Sequence, residues 1–261
     1  MSDEICSECG TPGGKERDIQ GVLVRACDRC HHTLLTRAAM DAILHEVAIL
    51  TDENSTAALS LLDRVYSENK PYDHDGWLER SVKSHRAMVL AAHARYAEAE
   101  AEIFAIPSST LQTAEDHAAH RADRAWILEL RGRYEDALEE LDRALALHTD
   151  LAAPTLLRLL CSYAAIAQKA GAQVPMTFRS LLEGAISELG IPALEDMREV
   201  SLGRSIEMAA RSYEDAGKRY ERVIMAVQGK PMRERASMMN EYARTEPVGF
   251  FRDMARRFAQ N

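Results

Sequence analysis

Downstream of residue 34 the chain repeats one pattern: apolar side chains recur every three or four positions, with charged residues between them. That spacing places the apolar positions along one face of successive α-helices. The first run covers 34–50, with Leu35, Ala38, Ala42 and Val47 on its inward face. Thr51, Asp52, Glu53, Asn54 and Ser55 supply a turn and a cap for a second helix over 56–69, which stops before Pro71. Further helices are expected over 77–93, 97–105, 113–131, 134–148, 155–169, 176–189, 192–210, 213–227, 232–242 and 248–259. Long amphipathic runs separated by short turns predict antiparallel helical hairpins. Upstream the pattern changes. Ile19, Val22 and Val24, with Gln20-Gly21 between them, predict two short strands. The second strand is expected to lead into a helical segment that begins near His31.

Three turns share a signature: Ala94-Arg95-Tyr96-Ala97-Glu98-Ala99, Gly132-Arg133-Tyr134-Glu135-Asp136-Ala137 and Arg211-Ser212-Tyr213-Glu214-Asp215-Ala216. Tyr96 and Tyr134 are 38 residues apart, and Tyr134 and Tyr213 are 79 apart, close to two units. The missing member falls at Ala170-Gly171-Ala172, and a fainter unit contains Ala57, Ala58, Leu59 and Leu62. A small residue lets the chain reverse, Tyr covers the end of the pair, and Ala three positions later lets the helices approach.

These turns resemble the tetratricopeptide repeat (TPR) family, with Gly132-Arg133-Tyr134-Glu135-Asp136-Ala137-Leu138 the best match and Leu128, Leu141 and Ala144 at packing positions. The resemblance spans 39–227, with a period longer than the family's ~34 residues. It implies that the first helix of each hairpin lines a concave face, where this chain places Ser84, His85, Met88, Ala122, Trp126 and Glu129. The Lys, Arg and Asn with which some members hold a C-terminal carboxylate are missing from those positions. Trp126 has two readings: an anchor for a partner, or a residue packed between hairpins.

The strongest chemical motif is Cys6-x2-Cys9-x17-Cys27-x2-Cys30. Four thiolates at this spacing suit one tetrahedral, closed, structural Zn2+ per chain, with no open position for catalysis. Disulfides are the alternative. Gly10, Pro12, Gly13 and Gly14 provide the tight knuckle after the first pair. Knuckle, hairpin and second pair follow the order of a zinc ribbon or treble-clef finger. The spacing is similar to the finger of the bacterial DksA/TraR group, which acts on RNA polymerase, but the acidic-tipped coiled coil of that group is missing.

Net charge is −9, which disfavours nonspecific nucleic-acid binding. From Lys230 onward seven basic residues face four acidic ones, so the C-terminal end invites an acidic partner or self-association. No signal core follows Met1, and the most apolar stretch, 156–167, contains Arg158 and is too short to span a bilayer. A cytoplasmic, non-membrane protein is expected. Cys161 reads as a buried structural thiol, and His117 with His120 as a solvated pair. No phosphate loop, nucleophile elbow or kinase signature is present.

The expected architecture is mainly α: a TPR-like α-solenoid of stacked antiparallel hairpins (33–261) behind a small zinc-bound β-hairpin module (1–32). The expected role is a non-enzymatic adaptor or regulator that binds a protein segment. The alternative is a transcription-associated factor whose finger contacts RNA polymerase or nucleic acid.

Overall fold

The computed structural model describes the backbone of residues 15–19, 22–26, 33–34, 37–70, 76–192 and 200–260. Side chains are described from residue 43 onward within those ranges, Glu68 excepted. Cys6, Cys9, Cys27, Cys30 and the 71–75 segment lie outside the described residues. The chain divides into two compact units, 1–112 and 113–261.

The first unit opens with three short strands, β1 (Lys15–Ile19), β2 (Val22–Ala26) and β3 (Thr33–Leu34). β1 and β2 are antiparallel, with Ile19 opposite Val22, the register of a tight hairpin. β3 adds to β2, with Leu34 opposite Arg25 and Thr33 opposite Ala26. This pairing takes Thr33 and Leu34 out of the helix expected there, and α1 runs Arg37–Glu53. Asn54 then begins α2 (Ser55–Asn69), its Oδ1 accepting from the Ala57 N–H at 3.1 Å. α3 (Trp77–Ala92) and α4 (Tyr96–Phe104) follow. Ile43, Val47, Ala58, Leu61, Leu62, Val65, Leu78, Val82 and Val89 form the core of α1–α3. Each fully buried Leu, Ile or Val contributes about 1.5–3 kcal/mol.

The second unit contains α5 (Ala114–Leu130), α6 (Tyr134–Leu145), α7 (Ala153–Ala170), α8 (Phe178–Leu189), α9 (Leu202–Val227), α10 (Met232–Thr245) and α11 (Gly249–Gln260). Thr113 and Asp116 form a reciprocal capping box at the start of α5. One continuous core runs through this unit, from Ala118 and Ala125 on α5 to Phe251 and Ala255 on α11.

Four helices end in the same hydrogen-bonded cap. Arg95 N–H bonds Leu90 O at 2.9 Å, Arg133 N–H bonds Leu128 O at 2.9 Å, Ala172 N–H bonds Ala167 O at 2.8 Å, and Ile191 N–H bonds Ile186 O at 3.0 Å. Each cap needs one left-handed residue, supplied by Ala94 (φ 57), Gly132 (φ 73), Gly171 (φ 67) and Gly190 (φ 59). Ala94, Gly132 and Gly171 follow one another at 38 and 39 residues, the period of the hairpins. The Ala of the turn signature is fully buried in both hairpins that carry it, Ala99 and Ala137. Fused antiparallel helix pairs with a shared turn and a buried Ala make this mainly helical fold TPR-like.

The third signature turn does not exist. Residues 211–216 lie inside α9, which continues unbroken for 26 residues. Arg211 and Ser212 offer no left-handed stop, and Glu207 bonds both Arg204 and Arg211 along the helix. The chain reverses only at Gly229, φ 75. Tyr213 and Ala216 still play their inward roles: Ala216 is fully buried, and Tyr213 packs on Phe250 and Phe251. Of the helix expected over 192–210, residues 193–199 lie outside the described residues, and α9 begins at Leu202 behind the Ser201 cap.

Candidate functional site

The first helices of successive hairpins are tied to one another at their ends. In the first unit, His93 at the end of α3 bonds Thr51 O near the end of α1 at 2.7 Å. In the second unit, Glu115 on α5 accepts from Ala152 N–H and Thr155 Oγ1 at the start of α7, both at 2.6 Å. Glu129, near the other end of α5, bonds Lys169 near the other end of α7 at 2.5 Å. That bond to Glu129, with its charge, raises the Lys169 pKa above its ordinary value. With these two clamps α5 and α7 run parallel, and their outward stripes lie side by side.

The residues expected to face a partner sit on these helices. On α3, Ser84 and His85 are half-buried and Met88 is exposed, with His85 Nδ1 2.8 Å from Ser81 O. On α5, Ala122 is half-buried against the core, Trp126 is 38% exposed, and Glu129 is engaged by Lys169. Trp126 therefore keeps a large apolar surface in contact with water.

Two clefts lie along α7 and α9. One cleft of about 450 Å³ is lined by Pro154, Leu157, Arg158, Cys161, Ala210 and Tyr213, with Glu214 at its edge. A second, of about 830 Å³, continues past Cys161 to Ala165, Gln168, Leu202, Arg204 and Glu207. These volumes lie within the range of ligand-binding clefts. The lining is apolar at the floor and charged at the rim. Glu207 is held below the usual carboxylate range by the Arg204 hydrogen bond. Arg158 and Glu214 make no ion pair with another described side chain, although they line the same cleft.

Cys161 departs from expectation: it is half-buried, packs against the core and lines both clefts. Burial raises its thiol pKa, and Glu214 and Glu207 raise it further, so the thiol stays protonated. His117 and His120 do not gather a metal set, and no cluster of three or more ligating side chains occurs among the described residues. His120 is buried rather than solvated. No helix among the described residues is long and apolar enough to cross a membrane.

Arg158, Cys161, Tyr213, Glu214, Arg204 and Glu207 are absent from the face read out of the sequence. The phase of the repeat gave the positions on α3 and α5. Beyond Gly171 that phase is lost, because the next two units have a long connector and an unbroken α9 in place of signature turns. The usable signal was compositional: Arg158, Ser162 and Lys169 interrupt an otherwise apolar helix at helical spacing.

A braced α5–α7 pair, with an open cleft between α7 and α9, defines a helical-hairpin repeat protein. Among the solved structures similar to this chain are two of one protein. One is a Podosopora anserina protein described as a putative kinesin light chain with nearly identical TPR-like repeats, at 16% identity and TM-score 0.44, covering 87% of this chain and 94% of its own. The other is a glutamine-to-methionine variant of that protein, at 15% identity and TM-score 0.44, covering 85% and 92%. No protein-family model matches the chain, and no curated protein sequence matches it.

Proposed function

We propose that this chain is a non-enzymatic interaction adaptor whose first helices α5, α7 and α9 bind a segment of a partner protein. The observation that carries this reading is the cleft between α7 and α9, lined by Leu157, Ala210 and Tyr213 with Arg158 and Glu214, on a helix α7 that is braced to Trp126-bearing α5. A wall fixed before binding loses little conformational entropy when a segment docks. Trp126 serves as the aromatic anchor, and the charges of Arg158 and Glu214 set the orientation of the segment.

The N-terminal cysteines complete the proposal. Cys6, Cys9, Cys27 and Cys30 hold one structural zinc ion, which supplies folding energy to a small lobe and no chemistry. The strand register supports this: Lys15 stands opposite Ala26, so both cysteine pairs lead away in sequence from the same open end of the hairpin. A reducing compartment such as the cytoplasm keeps these thiols available for metal.

The test is quantitative affinity purification from the native host with the full chain and with a Trp126→Ser, Arg158→Glu variant, both shown by circular dichroism to be folded. A specific partner retained by the parent chain should fall about tenfold or more with the variant. Identical partner sets would overturn the assignment of this face.

A further inference from the structure

A second site lies away from the α5, α7, α9 face, at the open end of the α10–α11 hairpin. Met232, Arg235 and Ala236 on α10 and Phe258 and Ala259 on α11 line a slot of about 230 Å³. Its apolar walls are wet: Met232 is 60% exposed and Phe258 37%. The Arg235 Nε is buried there and has no acceptor among the described residues. Arg235 as a whole is half-buried, so the accessible edge of its guanidinium is the part that suits a partner carboxylate.

The surroundings carry positive charge. Glu234 is engaged by Lys230, and Asp253 by Arg256 at 3.1 Å. Arg233, Arg235 and Arg257 are left without an acidic partner among the described side chains. The carboxylate of Glu246, further along this hairpin, is taken up by Arg219. The net charge of the whole chain is −9, so this basic, apolar-floored end stands out against it.

We infer that the slot docks an acidic segment of a partner protein, seating one apolar side chain between Met232 and Phe258 and placing a carboxylate on Arg235. The slot admits a single side chain, and charge complementarity selects acidic neighbours for it.

The experiment is selection of a random peptide library on the full chain, with counter-selection on the full-length Arg235→Gln variant. Surviving peptides are then measured by fluorescence polarisation. They should carry Asp or Glu beside Leu, Met or Phe, and bind more weakly as salt is raised. Affinity should fall about tenfold with Arg235→Gln and clearly with Arg257→Glu, an exposed position that leaves folding intact, while Trp126→Ser has no effect. Peptides that fail to discriminate the parent from Arg235→Gln, or that show no acidic bias, overturn the inference. So does self-association in sedimentation that Arg235→Gln abolishes, which would make a second copy the occupant. Because Trp126→Ser is silent here, failure at this slot leaves the α5, α7, α9 reading untouched.

Discussion

Ala94, Gly132 and Gly190 do the same job at different cost. Each adopts a left-handed backbone to close a helix cap. Ala94 does so with a Cβ, which is strained, so Ala94→Gly should stabilise the chain by about 0.5–1 kcal/mol in urea unfolding. Gly132 has open space where a Cβ would go, so Gly132→Ala should cost only the backbone strain, about 1 kcal/mol. At Gly190 a Cβ would stand 2.9 Å from Gly249 Cα, so Gly190→Ala should cost about 2–4 kcal/mol as the α8 and α11 ends are forced apart. Equal effects at 132 and 190 would contradict this ranking.

Glu246 shows how a charge is kept inside the second unit. Burial alone would raise its pKa, but Arg219 at 2.9 Å, the Val248 N–H at 3.0 Å and the Tyr242 hydroxyl together hold it below the ordinary value of 4.5. A carboxylate depressed by folding stabilises the chain above its unfolded pKa, and that stability is lost as pH falls through the lower folded value. Glu246→Gln should therefore cost about 2 kcal/mol at neutral pH, with the deficit shrinking in acid. Thermal melts across pH 3–7 (roughly the span over which carboxylates titrate) check this, and a pH-independent deficit would contradict it.

Among the elements, the α5–α7 clamp bears most on the proposed face. Glu115 receives the Ala152 N–H at the very start of α7, standing in for a side-chain cap that α7 itself lacks. Glu115→Ala should cost about 1 kcal/mol and loosen the first turn of α7, seen as faster amide exchange there and not in α6. Thr113→Ala, which removes the capping box of α5, should cost a similar ~1 kcal/mol. Helices were legible where local chemistry marks their ends: Asn54 before α2, Thr113 before α5, Gly132 and Gly171 after α5 and α7. The reversal expected at 211–213 failed because a Tyr and an Ala at the right spacing report only side-chain burial. Without a left-handed residue the backbone has no reason to stop. Likewise the helix expected to begin near His31 took in Thr33 and Leu34, whereas pairing with β2 is a long-range choice that periodicity does not carry.

For the molecule as a whole, the sequence offered Trp126 and its neighbours as a partner face and gave no sign of the cleft between α7 and α9. A cleft arises from two helices distant in sequence, and Arg158 and Glu214 line one cleft only because α7 and α9 pack together. Metal analysis of the purified full chain should give one zinc per chain, and a strong chelator should lower the stability of the N-terminal lobe while leaving the α5–α11 helical signal. Zinc-free protein of unchanged stability would remove that part of the account. The most direct measurement of the central claim is hydrogen–deuterium exchange of the full chain, alone and with the partner retained in the affinity purification. Slowed exchange on α5, α7 and α9, centred on 122–129, 155–165 and 207–214, is the predicted result; protection confined to the second helices α6 and α8 would contradict it.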